Sequence, residues 1–273
     1  MVVANAKTIQ LFQWFSSPLL KAVPLEATMK KSLLMAGAML ALTAGFAAAG
    51  PGGVNLSWND CGTFGTLQRN FACNVNTGVN TMVASVITGV DMPQLNGQAG
   101  VIDLQTNQAA LSPWWLIGGT GAAPNCRAGT TITADFSFIT MFSCVDPWQG
   151  GAAGGVNYTA GFGGPNRARI RTVCAIAGST AINGVDEAYM FKVNINNSRS
   201  TGTGSCAGCT DGACIVLNSI QVTQPAGVGD YTLSSPITRN FVQWQGGGNI
   251  GGQCPAATPT RSATWGSVKS LYR

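Results

Sequence analysis

The 273-residue chain carries 15 Lys+Arg, 10 Asp+Glu and no histidine, and charged residues are only 9% of it, against about a quarter in ordinary soluble domains. Without an imidazole there is no Ser-His-Asp or Cys-His catalysis, no imidazole proton shuttle and no His-ligated zinc. So sparse a charge also excludes a coiled coil, a polyelectrolyte tail and a strongly basic nucleic-acid binder.

In chain order, residues 1–28 precede Met29-Lys30-Lys31, which has the form of an initiator followed by a short cationic region. They are read as an over-extended start or a long leader. Residues 29–49 form a secretory signal peptide. Ser32–Phe46 is its apolar stretch, and Ala47-Ala48-Ala49 is a small-residue cleavage site. The apolar run is short for a membrane span, and no transmembrane segment is expected in the mature chain. Cleavage after Ala49 leaves 50–273 as one exported domain. It removes Lys7, Lys21, Lys30, Lys31 and Glu26, so 11 basic and 9 acidic residues remain, a net charge of about +2. No electrostatic case for nucleic acid survives.

After Gly50, short segments rich in Val, Ile, Thr and Phe alternate with Gly/Pro/Asn/Ser clusters. The expected strands are Val54–Cys61, Phe71–Val75, Thr81–Thr88, Val101–Gln105, Thr131–Phe142, Val156–Phe162, Arg167–Ile176, Ala188–Asn196, Cys214–Thr223 and Asn240–Gln245. Alternation is clearest in 135–142, 167–174 and 189–195. Many short strands without amphipathic helices between them predict an all-β fold, a β-sandwich of jelly-roll or immunoglobulin-like type. One short C-terminal helix, from Thr260 or Ser262 to Tyr272, completes the expected elements, with Trp265, Val268 and Tyr272 on one face.

Nine cysteines lie in the exported part: Cys61, Cys73, Cys126, Cys144, Cys174, Cys206, Cys209, Cys214 and Cys254. In an oxidising compartment they are disulfide candidates, and the odd count leaves a thiol free or pairing between chains. Connectivity is not deducible from sequence. The sequence-close pairs Cys61/Cys73 and Cys126/Cys144 are the first expectation. The Cys206-x2-Cys209-x4-Cys214 cluster could instead form a zinc or redox site.

Several strings are distinctive: the NLSWNDC run ending at Cys61, the GFGGPNRARIR run from Gly161 to Arg171, the CIVLNSIQV run from Cys214 to Val222, and the WGSVKSLYR run from Trp265 to Arg273. Together they resemble a family of exported, β-rich proteins of uncultivated bacteria. The resemblance implies export and supports Met29 as the start. The family has no assigned activity, so no catalytic residue is carried over.

The residues offer few sites. Arg167, Arg169 and Arg171 share one strand face, about 6–7 Å apart, and could grip sulfate, phosphate or uronate groups. The bland alternative is a solvated or salt-bridged outer face. Trp114, Trp115 and Trp148 stand in or beside loops, where aromatic rings stack on sugars or anchor loops to a core. No spaced pair of carboxylates marks a glycosidase. Asp146, Asp186 and Glu187 are the first residues to consider for a structural calcium ion, and no other cofactor is expected. The leading expectation is an exported, disulfide-stabilised protein of the extracellular space or cell surface. It would work by self-association or by binding envelope components, not as an enzyme. The alternative is a carbohydrate-binding module using the loop tryptophans and the arginine stripe, with glycans as partners.

Overall fold

A computed structural model describes residues 52–118, 126–128 and 132–247 together with Cys254. The expected signal peptide and C-terminal helix lie outside the described residues. Eleven strands make up nearly all the regular structure: β1 (Gly53–Trp58), β2 (Gln68–Arg69), β3 (Val79–Ile87), β4 (Met92–Thr106), β5 (Ile132–Asp135), β6 (Ala153–Ala160), β7 (Arg167–Ile182), β8 (Ala188–Asn196), β9 (Ala213–Thr223), β10 (Tyr231–Leu233) and β11 (Phe241–Trp244). A single 3-10 turn, Pro113–Trp115, interrupts them.

The strands form two sheets facing one another. The smaller runs β1-β3-β8-β5 and the larger β2-β11-β9-β4-β7-β6, with β10 pairing the free part of β9 beyond β11. All pairs are antiparallel except the two-residue β2–β11 ladder. The expected β-sandwich is therefore the architecture observed.

Alternation explains which side chains fill the core. Val54, Leu56 and Trp58 of β1, Phe191 and Val193 of β8, Ile170 of β7, and Ile215 and Leu217 of β9 are buried in one continuous cluster between the sheets. Gly100 of β4 lies against the Phe191 ring, where a Cβ would come within 2.7 Å of a ring carbon. A glycine that reads as a strand breaker is thus what lets the two sheets close at that point. This is why β4 runs unbroken from Met92 and not only from Val101. Bulges near Leu95 and Gly97 absorb its other irregularities.

Two further expectations change. The strand predicted over Thr131–Phe142 ends at Asp135. Phe138 and Phe142 instead fold down onto Tyr189, at centroid distances of 5.6 and 5.7 Å. Phe71–Val75 forms no strand, because Phe71 turns inward against Trp58 and Trp244 and Cys73 is held by a disulfide. The short strands β2 and β10 have no alternating signal long enough to be read.

The cysteine pairing differs as well. The bridges are Cys61–Cys144, Cys73–Cys209, Cys126–Cys206 and Cys214–Cys254, with Cα–Cα separations of 6.0, 5.7, 5.9 and 5.6 Å. Neither sequence-close pair forms. The bridges span 40 to 136 residues, because the sandwich brings together loops from distant strands. Cys206, Cys209 and Cys214 enter three different bridges, so the cluster supplies no thiolates for a metal or a redox pair.

The sandwich also covers part of its own edges. Residues 235–239 run along the outer side of β1, with Val54 N–H donating to Ser235 O, Leu56 N–H to Arg239 O and Ile237 N–H to Val54 O. At the opposite side β5 and β6, the edge strands of the two sheets, lie next to each other. β2 is only two residues long. These edges offer little free backbone for edge-to-edge growth, whereas residues 176–182 of β7 run beyond β6 and pair only with β4.

Five rings, Trp58, Phe71, Trp114, Trp115 and Trp244, fill one end of the core at centroid distances from 4.3 to 6.1 Å. Trp244→Ala would open a cavity at the centre of this group. The expected loss is about 3–5 kcal/mol of unfolding free energy, measurable by denaturant titration. A loss under about 1 kcal/mol would contradict the packing described.

Candidate functional site

The expected arginine stripe exists as a row on β7, but its centre is already engaged. β7 and β4 place Arg169 directly opposite Asp103. Arg169 Nε and Nη2 donate to the two Asp103 carboxylate oxygens, each at 2.7 Å. Asn218 Nδ2 donates a third bond to Asp103 at 2.8 Å, and the guanidinium lies 3.9 Å above the Phe162 ring. These hydrogen bonds and the carboxylate charge raise the Arg169 pKa. A bidentate, partly buried pair of this kind is a structural clamp between strands. Arg171 is exposed and Arg167 half-buried beside it. The row therefore does not present three free guanidinium groups to an anion.

The three loop tryptophans are buried, so their ring faces are closed to sugars. The 3-10 turn drives Trp114 and Trp115 into the core, where they pack edge to face at 4.8 Å. Trp114 Nε1 donates to Ser200 Oγ at 3.0 Å, and Trp148 Nε1 donates to Met190 O at 2.9 Å. The anchoring role accounts for all three.

One buried cation escaped the sequence reading. Arg127 is 1% exposed, with its guanidinium 4.0 Å from the Trp114 ring centroid and Nη2 donating to Asn196 Oδ1 at 2.8 Å. Burial lowers its pKa to about 10, so it stays charged at neutral pH. The only sequence signal was its position beside Cys126, whose bridge to Cys206 carries this segment into the interior.

Among the described residues no three His, Cys, Asp or Glu side chains gather as a metal site. Glu187 accepts from Asn55 Nδ2 at 2.7 Å and Ser85 Oγ at 2.6 Å. Asp146 accepts from Trp148 N–H at 2.9 Å. Both carboxylates are thus satisfied by protein donors, and they do not converge with Asp186 on a common centre.

What remains at the surface is a capping layer on the outer face of the four-stranded sheet. Lys192 of β8 points away from the core, between the inward Phe191 and Val193, and pairs with Asp135 at 3.0 Å. Segments 59–65 and 136–147 cover this face. The Cys61–Cys144 bridge joins them, and Asp60 joins them again by accepting from Ser143 N–H and Oγ, both at 2.8 Å. Tyr189 N–H then donates to Val145 O at 2.9 Å and ties the cap to β8. The cap shows large apolar side chains to solvent, with Met141 85% exposed and Phe64 70%, and Val185 on the adjoining turn before β8 is 65% exposed.

These features define a disulfide-riveted β-sandwich with an apolar cap. No family model, curated protein or solved structure matches the chain.

Two outcomes test this chemistry. Cys174 is the one unpaired cysteine and is buried beside Gln98, and burial pushes its thiol up to about 11. It should therefore not form the interchain bridge expected of an odd cysteine. A thiol-reactive reagent at about pH 8 should label no cysteine in the native protein and one in denaturant; rapid native labelling would contradict its burial. Asp135 is the second case. Burial works against its ionisation, but hydrogen bonds from Ser137 and Lys192 and the ammonium charge outweigh this and hold its carboxyl below the usual range. A depressed folded pKa adds stability that is present above the unfolded value and lost as pH falls through the folded one. Asp135→Asn should therefore lower the melting temperature at neutral pH and cease to matter in acid. A pH-independent difference would contradict this.

Proposed function

We propose that the protein is an exported structural component, working by contact with other copies or with the cell envelope and not by catalysis. The observation that carries this reading is the cap. A sandwich that covers part of its own sheet edges still holds Phe64 and Met141 out in water on a layer fixed by the Cys61–Cys144 bridge, with Val185 exposed on the adjoining turn between β7 and β8. Large apolar side chains so displayed mark interaction surfaces. Four bridges, each worth on the order of 2–4 kcal/mol, suit an oxidising compartment. The signal-peptide pattern and the resemblance to exported bacterial β-proteins support the same location. Among the described residues no helix is long and apolar enough to cross a membrane. A glycan-binding role would need rings other than Trp114, Trp115 and Trp148.

The test is expression of the full chain in a bacterial host, followed by fractionation and sedimentation of the exported product. Recovery outside the cytoplasm, starting at Gly50 and associating more strongly as its concentration rises, is the expected result. The pair Phe64→Ser and Met141→Ser should weaken that association without altering the melting temperature. A reduced cytoplasmic product, or one that stays monomeric at every concentration and does not fractionate with the envelope, would overturn the proposal.

A further inference from the structure

The cap has a chemistry that selects a partner. Phe64, Ile139, Met141 and Val145 are its exposed apolar side chains, on two segments that the Cys61–Cys144 bridge joins. Val145 N–H, donating to Glu187 O at 2.9 Å, ties them to the turn that exposes Val185. Five carboxylates, Asp60, Asp135, Asp146, Asp186 and Glu187, adjoin these residues in sequence or by hydrogen bond. Among the described residues only Asp135 of the five has an ion pair, with Lys192. Asp60, Asp146 and Glu187 accept from neutral donors instead. The surface is thus apolar with a negative border.

The chain itself contains a segment of complementary composition. Residues 255–273 hold Arg261, Lys269 and Arg273, no Asp or Glu, and the large apolar residues Trp265, Val268, Leu271 and Tyr272. Its starting point is fixed. Cys254 is bridged to Cys214, and Cys214, Val216, Phe241 and Cys254 form a small cluster of their own, separate from the inter-sheet core that Ile215 and Leu217 enter. Cys254 therefore lies on the outer face of the seven-stranded sheet, whereas the cap lies on the outer face of the four-stranded one. Origin and cap are on opposite sides of the sandwich.

We infer that residues 255–273 of one copy dock on the cap of the next, Trp265 and its apolar neighbours against Phe64 and Met141, and the three cations along the carboxylate border. This rests on the self-association reading above and names its two surfaces. The contact joins two different patches, so it is heterologous and propagates head to tail into a ring or an open chain. Its electrostatic part is screened by salt.

Complementary variants test it. One is truncated after Cys254, keeping the Cys214–Cys254 bridge. The other carries Phe64→Lys and Met141→Lys, both at exposed positions, in the full chain. Melting curves establish that each remains folded. In sedimentation the parent should assemble, each variant alone should stay monomeric, and an equimolar mixture should form a 1:1 dimer and stop there. That dimer should weaken about tenfold or more between low and high salt. If the parent is monomeric at all concentrations, both this contact and the self-association reading fall. If the parent assembles but either variant also assembles, or the mixture stays monomeric, self-association stands and the tail-to-cap contact is overturned.

Discussion

The structure depends on the packing of Trp244. It ends β11, where the larger sheet meets the end of β1, and its ring touches those of Phe71, Trp114, Trp115 and Trp58. Its Nε1 donates to Cys209 O at 2.8 Å, so the same side chain fixes the loop that the Cys73–Cys209 bridge closes. The next residue, Gln245, donates through Nε2 to Phe71 O at 2.8 Å. Apolar burial and a directed hydrogen bond thus act on one ring, and both disulfide-bearing loops of this end are positioned by it. Large aromatic rings suit this position because each buries much area while keeping few rotatable bonds.

A chain so poor in charge uses the charges it has internally. Arg169 clamps β7 to β4 through Asp103, Lys192 holds the start of the cap through Asp135, and Arg127 lies buried over Trp114. Each would look like a binding residue in a list of side chains, and each is occupied. The exposed apolar residues of the cap are among those that the fold itself leaves without use. Residues 235–239 cover β1 and β5 lies against β6, so much of the sheet edge is closed to backbone pairing.

The strands that could be read from sequence are those whose alternation decides burial on a two-sided sheet. β8 begins and ends where its pattern does, and β9 differs by one residue. The aromatic run after Asp135 alternates equally well, yet it forms no strand. Its rings are needed over Tyr189, and the Cys61–Cys144 bridge pulls the chain across the sheet. Alternation states that a face will be buried; it does not state against what. The disulfides were illegible for a related reason. Proximity in sequence favours Cys61 with Cys73, whereas strand order puts Cys61 beside Cys144 and Cys73 beside Cys209. The roles of Trp114, Trp115 and Trp148 were open between loop anchor and exposed platform until their burial, and the bonds donated by the Trp114 and Trp148 indoles, showed them turned inward.

The bridges hold the cap, the aromatic end and the origin of the C-terminal segment in their relative places, so their connectivity is the central claim. Peptide mapping of the unreduced, exported protein by mass spectrometry tests it directly. The account requires Cys61–Cys144, Cys73–Cys209, Cys126–Cys206 and Cys214–Cys254, with Cys174 recovered as a thiol. A Cys61–Cys73 or Cys126–Cys144 peptide, or Cys174 in any bridge, would contradict it.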